Sequence, residues 1–190
     1  MDKETRTFCK MIRNRSIENR RAMHSFNQPH EVLSPAFSML RQELDSMVRV
    51  IYLLSIKKLS ERKRLIEATM QGEKWKIKAE KGKLRNVTDK EMVDLAQKLQ
   101  GWTQSVYKFG CAFIHLSDFH NHQTQNPFER LSTQERKDIL SHMRYYHGGP
   151  GRDDPDMEEL AQYLPRIFDK IADNLKCYVD QLERGETKDI

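Results

Sequence analysis

Cysteine is scarce in this chain. Cys9, Cys111 and Cys177 are odd in number and far apart, which excludes a zinc framework or a disulfide scaffold and leaves three reduced thiols as the expectation. Long apolar runs are missing too. The longest, Val50–Ile56, is flanked by Arg49 and Lys57 and falls far short of the roughly 20 residues that span a bilayer, so no membrane partner is expected. The opening residues MDKETRTF lack the apolar core of a secretory signal, and a cytoplasmic location is the expectation. No Gly-x-Ser-x-Gly elbow and no P-loop occur, which argues against the common nucleophilic hydrolases and nucleotide-binding loops. Gly148-Gly149-Pro150-Gly151 follows a helical pattern instead of preceding one, and reads as a helix stop.

Charge is what the chain has in quantity. Charged residues make up 32% against 37% hydrophobic, so a polar domain is expected, yet 190 residues suffice to bury a core. The net charge of +5 is unevenly spread. Residues 1–90 hold 21 Lys and Arg against 11 Asp and Glu, a balance of +10, and residues 91–190 hold 12 against 17, or −5. Such polarity suggests an anionic partner for the basic half, and fits equally well with self-association of basic face to acidic face.

Helical periodicity dominates. Residues 3–24 read as a basic, loosely attached helix with a weak apolar pattern, either a phosphate-contacting arm or a solvated amphipathic helix. Ser34-Pro35 is expected to open the strongest amphipathic helix, with Phe37, Leu40, Leu44, Met47, Val48, Ile51 and Leu54 on one stripe. Ser60 caps a short helix to Met70. Thr88-x-x-Glu91 and Ser132-x-x-Glu135 are capping boxes that start helices at 89 and 133, the first stopping at Gly101. Asp154-Pro155 is expected to cap a last long helix that Pro165 kinks or splits. Between 73 and 87 the pattern changes. Trp75, Ile77 and Ala79 alternate with Lys74, Lys76 and Lys78, the period of a strand, and Leu84 and Val87 could return as a second one. A small basic hairpin or loop is expected here. Lys74, Lys76, Lys78, Lys81, Lys83 and Arg85 around an exposed Trp75 would bind nucleic acid by phosphate neutralisation and stacking. The alternative is a strand edge kept soluble by lysines.

Chemistry concentrates in Trp102–His122, read as one helix. Trp102, Val106, Phe109, Phe113 and Leu116 form its core-facing stripe, extended by His120, and Lys108, Cys111, His115, Asp118 and His122 line the other face. Two or three of that ladder could ligate a metal only with help from a second helix, and the Glu-x-x-His pair of di-metal bundles is absent. No metal and no cofactor is therefore expected. General acid/base work on RNA asks for less: a His to move the 2′-hydroxyl proton and a cation to stabilise phosphate charge.

The helical order, the long helix FSMLRQELDSMVRVIYLL and the segment FIHLSDFH resemble HEPN domains over residues 34–182. That resemblance implies a helical bundle, found in toxins and phage-defence proteins, that often acts as a dimeric, metal-independent ribonuclease. Active members carry an Arg, four to six residues, then a His. Before His115 the allowed positions are Lys108, Phe109 and Gly110, so Lys108 would stand in for the Arg without its bidentate fork. Arg136 and His142 form a second match, about 120° apart on a helix.

The expectation is therefore an all-α, HEPN-like bundle of six or seven helices with a short basic hairpin or loop insertion. Residues 1–30 would form a basic N-terminal helix, 31–184 the bundle, and 185–190 a frayed tail. The functional expectation is a homodimeric domain that binds RNA or another nucleic acid, with metal-independent endoribonuclease chemistry, where there is any, at His115, Lys108, Arg136 and His142. The alternative is a non-catalytic protein-interaction or dimerisation domain.

Overall fold

Helix α2 (Leu33–Ser55) is apolar around most of its circumference, and the rest of the chain wraps it. Its buried set includes Leu40, Leu44, Met47, Val48, Val50, Ile51, Leu53 and Leu54, too broad for one stripe, so it must be covered from several sides. In the computed structural model, which describes residues 2–26, 28–78, 82–115, 117, 120 and 126–190, four helices do so: α1 (Lys3–Ser25), α4 (Asp89–Gln100), α5 (Thr103–Ile114) and α8 (Leu164–Glu183). Helix α3 (Leu59–Met70) packs on α1. Helices α6 (Thr133–His147) and α7 (Met157–Ala161) complete the bundle, and strands β1 (Lys76–Lys78) and β2 (Leu84–Asn86) stand between α3 and α4. Seven of the described helices have at least twelve residues, which matches the all-α bundle of six or seven. No described helix is long and apolar enough to cross a membrane.

Both capping boxes form. Thr88 and Glu91 exchange side-chain and backbone bonds at the start of α4, and Ser132 and Glu135 do so at α6. Helix α4 stops at Gly101, whose φ of +74° a side chain would strain. Three expected boundaries shift. Helix α2 begins at Leu33, continuous with a 3-10 turn over Pro29–Val32, so Ser34 is not its cap. Helix α7 is capped by Asp156, which accepts from the Glu159 N–H at 2.8 Å, and not by Asp154. Helix α3 begins at Leu59 after the N-cap Lys58, so Ser60 is not its cap. Pro165 does split the last helical stretch as expected, falling in the first turn of α8, where its missing N–H costs nothing.

Helix α1 is not loosely attached. Phe8, Cys9, Ile12 and Met23 are buried in the common core, and burial pushes the Cys9 thiol up to about 12, making it a packing residue. Arg13 pairs with Asp180 and Glu183 of α8, Arg20 with Asp169 and Asp173, and His24 with Asp169. Much of the charge asymmetry of the sequence is thus met inside the molecule, a basic first helix lying along an acidic last one. Between α1 and α2 the buried Glu43 carboxylate accepts from Ser16 Oγ, and from Asn19 Nδ2 at 3.4 Å.

Candidate functional site

The hairpin forms as the alternation requires. Lys76, Ile77 and Lys78 pair antiparallel with Asn86, Arg85 and Leu84, and the Val87 N–H donates to the Trp75 carbonyl at 2.8 Å. Lys74, Lys76, Lys78 and Lys83 are all exposed, and none makes an ion pair among the described residues. Lys81 lies outside the described residues. Arg85 is committed to Glu91 at 2.6 Å, so it belongs to the anchor of the hairpin on α4. A further lysine, Lys58, is exposed at the start of α3. It and Lys78 both help to hold the Glu61 carboxyl below its usual range, after the larger effect of the Arg64 hydrogen bond. The basic surface therefore reaches from the hairpin to α3. Sequence reasoning missed Lys58, since nothing local ties it to residues 20 positions away.

Trp75 corrects the expected stacking platform. It is 2% exposed, set against the Tyr52 ring at 5.8 Å with the Arg49 guanidinium 5.3 Å from its centroid. Its Nε1 donates to Thr69 Oγ1 at 2.7 Å. An isolated hairpin is marginal in water, and this one is stabilised by sinking its single large aromatic into the bundle. The Arg64 guanidinium donates to the Lys76 carbonyl from α3. The indole is an anchor and is not available to stack on a base.

The expected helix over 102–122 is shorter. Trp102 is its N-cap and Ile114 its last residue, and His115 has extended backbone. Cys111 and His115 thus do not continue one helical face, and Asp118, His122 and Leu116 lie outside the described residues. His115 is exposed, and its imidazole has no partner among the described residues. His120, though off the helix, still packs edge-on against the Phe113 ring at 5.7 Å. Lys108 is exposed on α5 and bound to Glu135 at the start of α6. With the capping bonds from Ser132, that contact holds the Glu135 carboxyl down at about 2.

The second candidate pair also stays apart. Arg136 and His142 are half-buried on α6, and no described contact joins them to each other or to His115. His142 Nδ1 lies 2.7 Å from the Asp138 carbonyl, and its Nε2 would sit 3.5 Å from a side chain at Gly101. Among the described residues no group of three His, Cys, Asp or Glu is placed to hold a metal. The four acid/base candidates therefore do not converge within one chain.

His142 instead faces an apolar cleft of about 100 Å³ that the sequence did not reveal. Phe37, Trp102, Val106, Phe109, Ile139 and Leu164 contribute to its walls, and Ser105, His147 and Lys170 lie at its polar margin. The ordinary stripe positions of five helices meet there, so no local signal announces it. Burial, followed by the charges of Lys170 and Arg166, pushes the His147 imidazole below its usual range. Compared with known proteins, the chain matches no family model, no curated protein and no solved structure.

Proposed function

We propose that this chain is a helical domain that binds RNA through the phosphate backbone, with the β1–β2 hairpin as its contact. The observation that carries the reading is the contrast between two basic regions. The arginines of α1 that face α8 already have carboxylate partners, whereas Lys74, Lys76, Lys78 and Lys83 project from an anchored hairpin with none among the described residues. Lysines held in this way gain most from polyanion contact, because counterion release rewards every phosphate they neutralise. Buried Trp75 removes stacking from the mechanism, so recognition here is electrostatic and weakly dependent on sequence.

Catalysis is an extension of this reading and rests on the resemblance to HEPN domains, with the homodimer that resemblance implies supplying the second set of groups. His115 is accessible for proton transfer, but Lys108 is neutralised by Glu135.

The test is fluorescence anisotropy of a labelled single-stranded RNA at several salt concentrations. Native protein is expected to bind at low ionic strength, with affinity falling steeply as salt rises. Changing Lys76, Lys78 and Lys83 together to Glu is expected to abolish binding and leave the melting temperature nearly unchanged. Absence of binding by native protein at low salt, or full binding by the triple variant, rejects the proposal.

A further inference from the structure

Flat aromatic side chains wall the apolar cleft between α5, α6 and α8, Trp102 and Phe109 from one side and Phe37 from α2, and positive charge stands at its opening. Lys170 has no carboxylate partner among the described residues, and its ammonium lies 4.0 Å from the centroid of the Tyr146 ring. Arg166 stands close by, its guanidinium donating to the His147 carbonyl at 3.3 Å. The nearest acids along α8, Asp169 and Asp173, are taken by Arg20 and His24 of α1. Apolar walls with a few convergent polar groups and a net positive margin are the make-up of a small-molecule site.

We propose that this cleft binds a small aromatic monoanion, its ring between the apolar side chains and its anionic head at Lys170. A cavity of about 100 Å³ takes one ring or a short branched chain and no more. Phe37, Trp102 and Phe109 supply flat walls suited to an aromatic group. The ammonium at the margin selects a carboxylate, sulfonate or similar head over a neutral one. The site lies on elements other than the hairpin, so it stands or falls independently of RNA binding.

The experiment compares, by isothermal titration calorimetry, two single-ring probes of nearly the same shape: benzoate, an anion, and benzamide, which is neutral. Native protein is expected to bind the anion at a single site, more tightly than the neutral probe. Lys170→Gln is expected to weaken the anion about five- to tenfold, the scale of one charge-assisted contact, and to leave the neutral probe unchanged. Val106→Trp and, at the margin, Ser105→Trp fill the cleft and are expected to remove both. A cooperative melt and unchanged circular dichroism qualify each variant, and either filled variant suffices. Failure of native protein to bind the anion overturns the proposal, as does retention of the anion by a folded, filled variant. Equal affinity of the two probes, or a Lys170→Gln effect on both alike, overturns the anionic head.

Discussion

Arg13 of α1 and Glu183 of α8 meet fork to fork, Nη1 to Oε1 at 2.7 Å and Nη2 to Oε2 at 2.6 Å, across 170 positions of sequence. Arg13 Nη2 also reaches Asp180 Oδ1 at 2.8 Å, so one guanidinium ties two carboxylates of the last helix to the first. Both partners keep about a third of their surface in water, which screens the pair. Arg13→Ala is expected to lower stability by about 1 kcal/mol, the upper end for an exposed but bidentate pair. Arg13→Glu is expected to cost more, and Arg13→Glu with Glu183→Arg to recover part of the loss. Chemical denaturation of these variants and of Glu183→Arg alone, at low and high salt, checks this. Additive effects in the double variant would show that the two side chains are not coupled.

Stability is expected to have two opposed pH dependences. Arg13 holds Asp180 and Glu183 below their usual range, and Lys108 holds Glu135 at about 2. The unfolded chain then binds more protons, so this stabilisation is full above the ordinary carboxylate values and is lost as pH falls through the folded ones. Glu43 runs the other way, since burial raises it above its ordinary 4.5. Its contribution is greatest in acid and declines as pH rises through the folded value. Melting temperature against pH should therefore fall steeply toward pH 2. Glu43→Gln should flatten the curve above pH 4.5 while leaving the acid limb in place.

Gly110 is expected to tolerate no side chain. A Cβ there would lie 2.8 Å from Arg41 Cβ and 2.9 Å from its Cδ, at the crossing of α5 on α2. Arg41 is itself 5% exposed, held by Asp45 and stacked on Tyr107 at 4.2 Å, so it cannot yield. Gly110→Ala is expected to cost about 1–3 kcal/mol, the scale of overpacking in a filled core. That loss would outweigh the gain in helix propensity, and a neutral or stabilising effect in thermal melts would contradict the close approach.

Trp75 should behave as a core residue. Trp75→Phe loses the hydrogen bond to Thr69 Oγ1 and is expected to cost about 0.5–1.5 kcal/mol. Trp75→Ala is expected to cost about 3–5 kcal/mol. If RNA binding is electrostatic, Trp75→Phe leaves affinity intact. A large affinity loss with unchanged stability would instead return the indole to the contact surface.

His115→Ala is expected to change stability by less than about 0.5 kcal/mol, as for an exposed position without a buried partner. If native protein cleaves RNA and His115 is the acid/base, the same change should lower cleavage about 10²–10⁴-fold and leave RNA affinity alone. Cleavage by native protein that His115→Ala leaves unaltered would remove His115 from the reaction.

How much of this was legible in the sequence depends on how local the determining forces are. The capping boxes at Thr88 and Ser132, the stop at Gly101 and the alternation from Lys74 to Lys78 are set by neighbours within a few residues, and all appear where the sequence puts them. The end of α5 does not. The apolar spacing from Phe113 to Leu116 runs on, while the backbone leaves the helix at His115 and the Ser117 hydroxyl donates to the Ala112 carbonyl at 2.7 Å. The burial of Trp75 and the docking of α1 depend on partners far along the chain, Tyr52 and Arg49 in one case and α8 in the other. The cleft around Trp102 is the most distributed feature of all, since its walls come from five helices whose stripes each look like ordinary core.

The lengthwise pairing of α1 with α8 also sets an order of events at the ribosome. The arginines of α1 emerge before α8, and the carboxylates that neutralise Arg13 and Arg20 follow some 149–170 positions later, on the order of ten to thirty seconds at ordinary elongation rates. Through that interval the arginines of α1 lack their α8 partners while the nascent chain lies beside ribosomal RNA, which is itself a polyanion. Arrival of α8 both covers its share of the core and neutralises those arginines, so closure of the fold and loss of the free positive charge on α1 become one step.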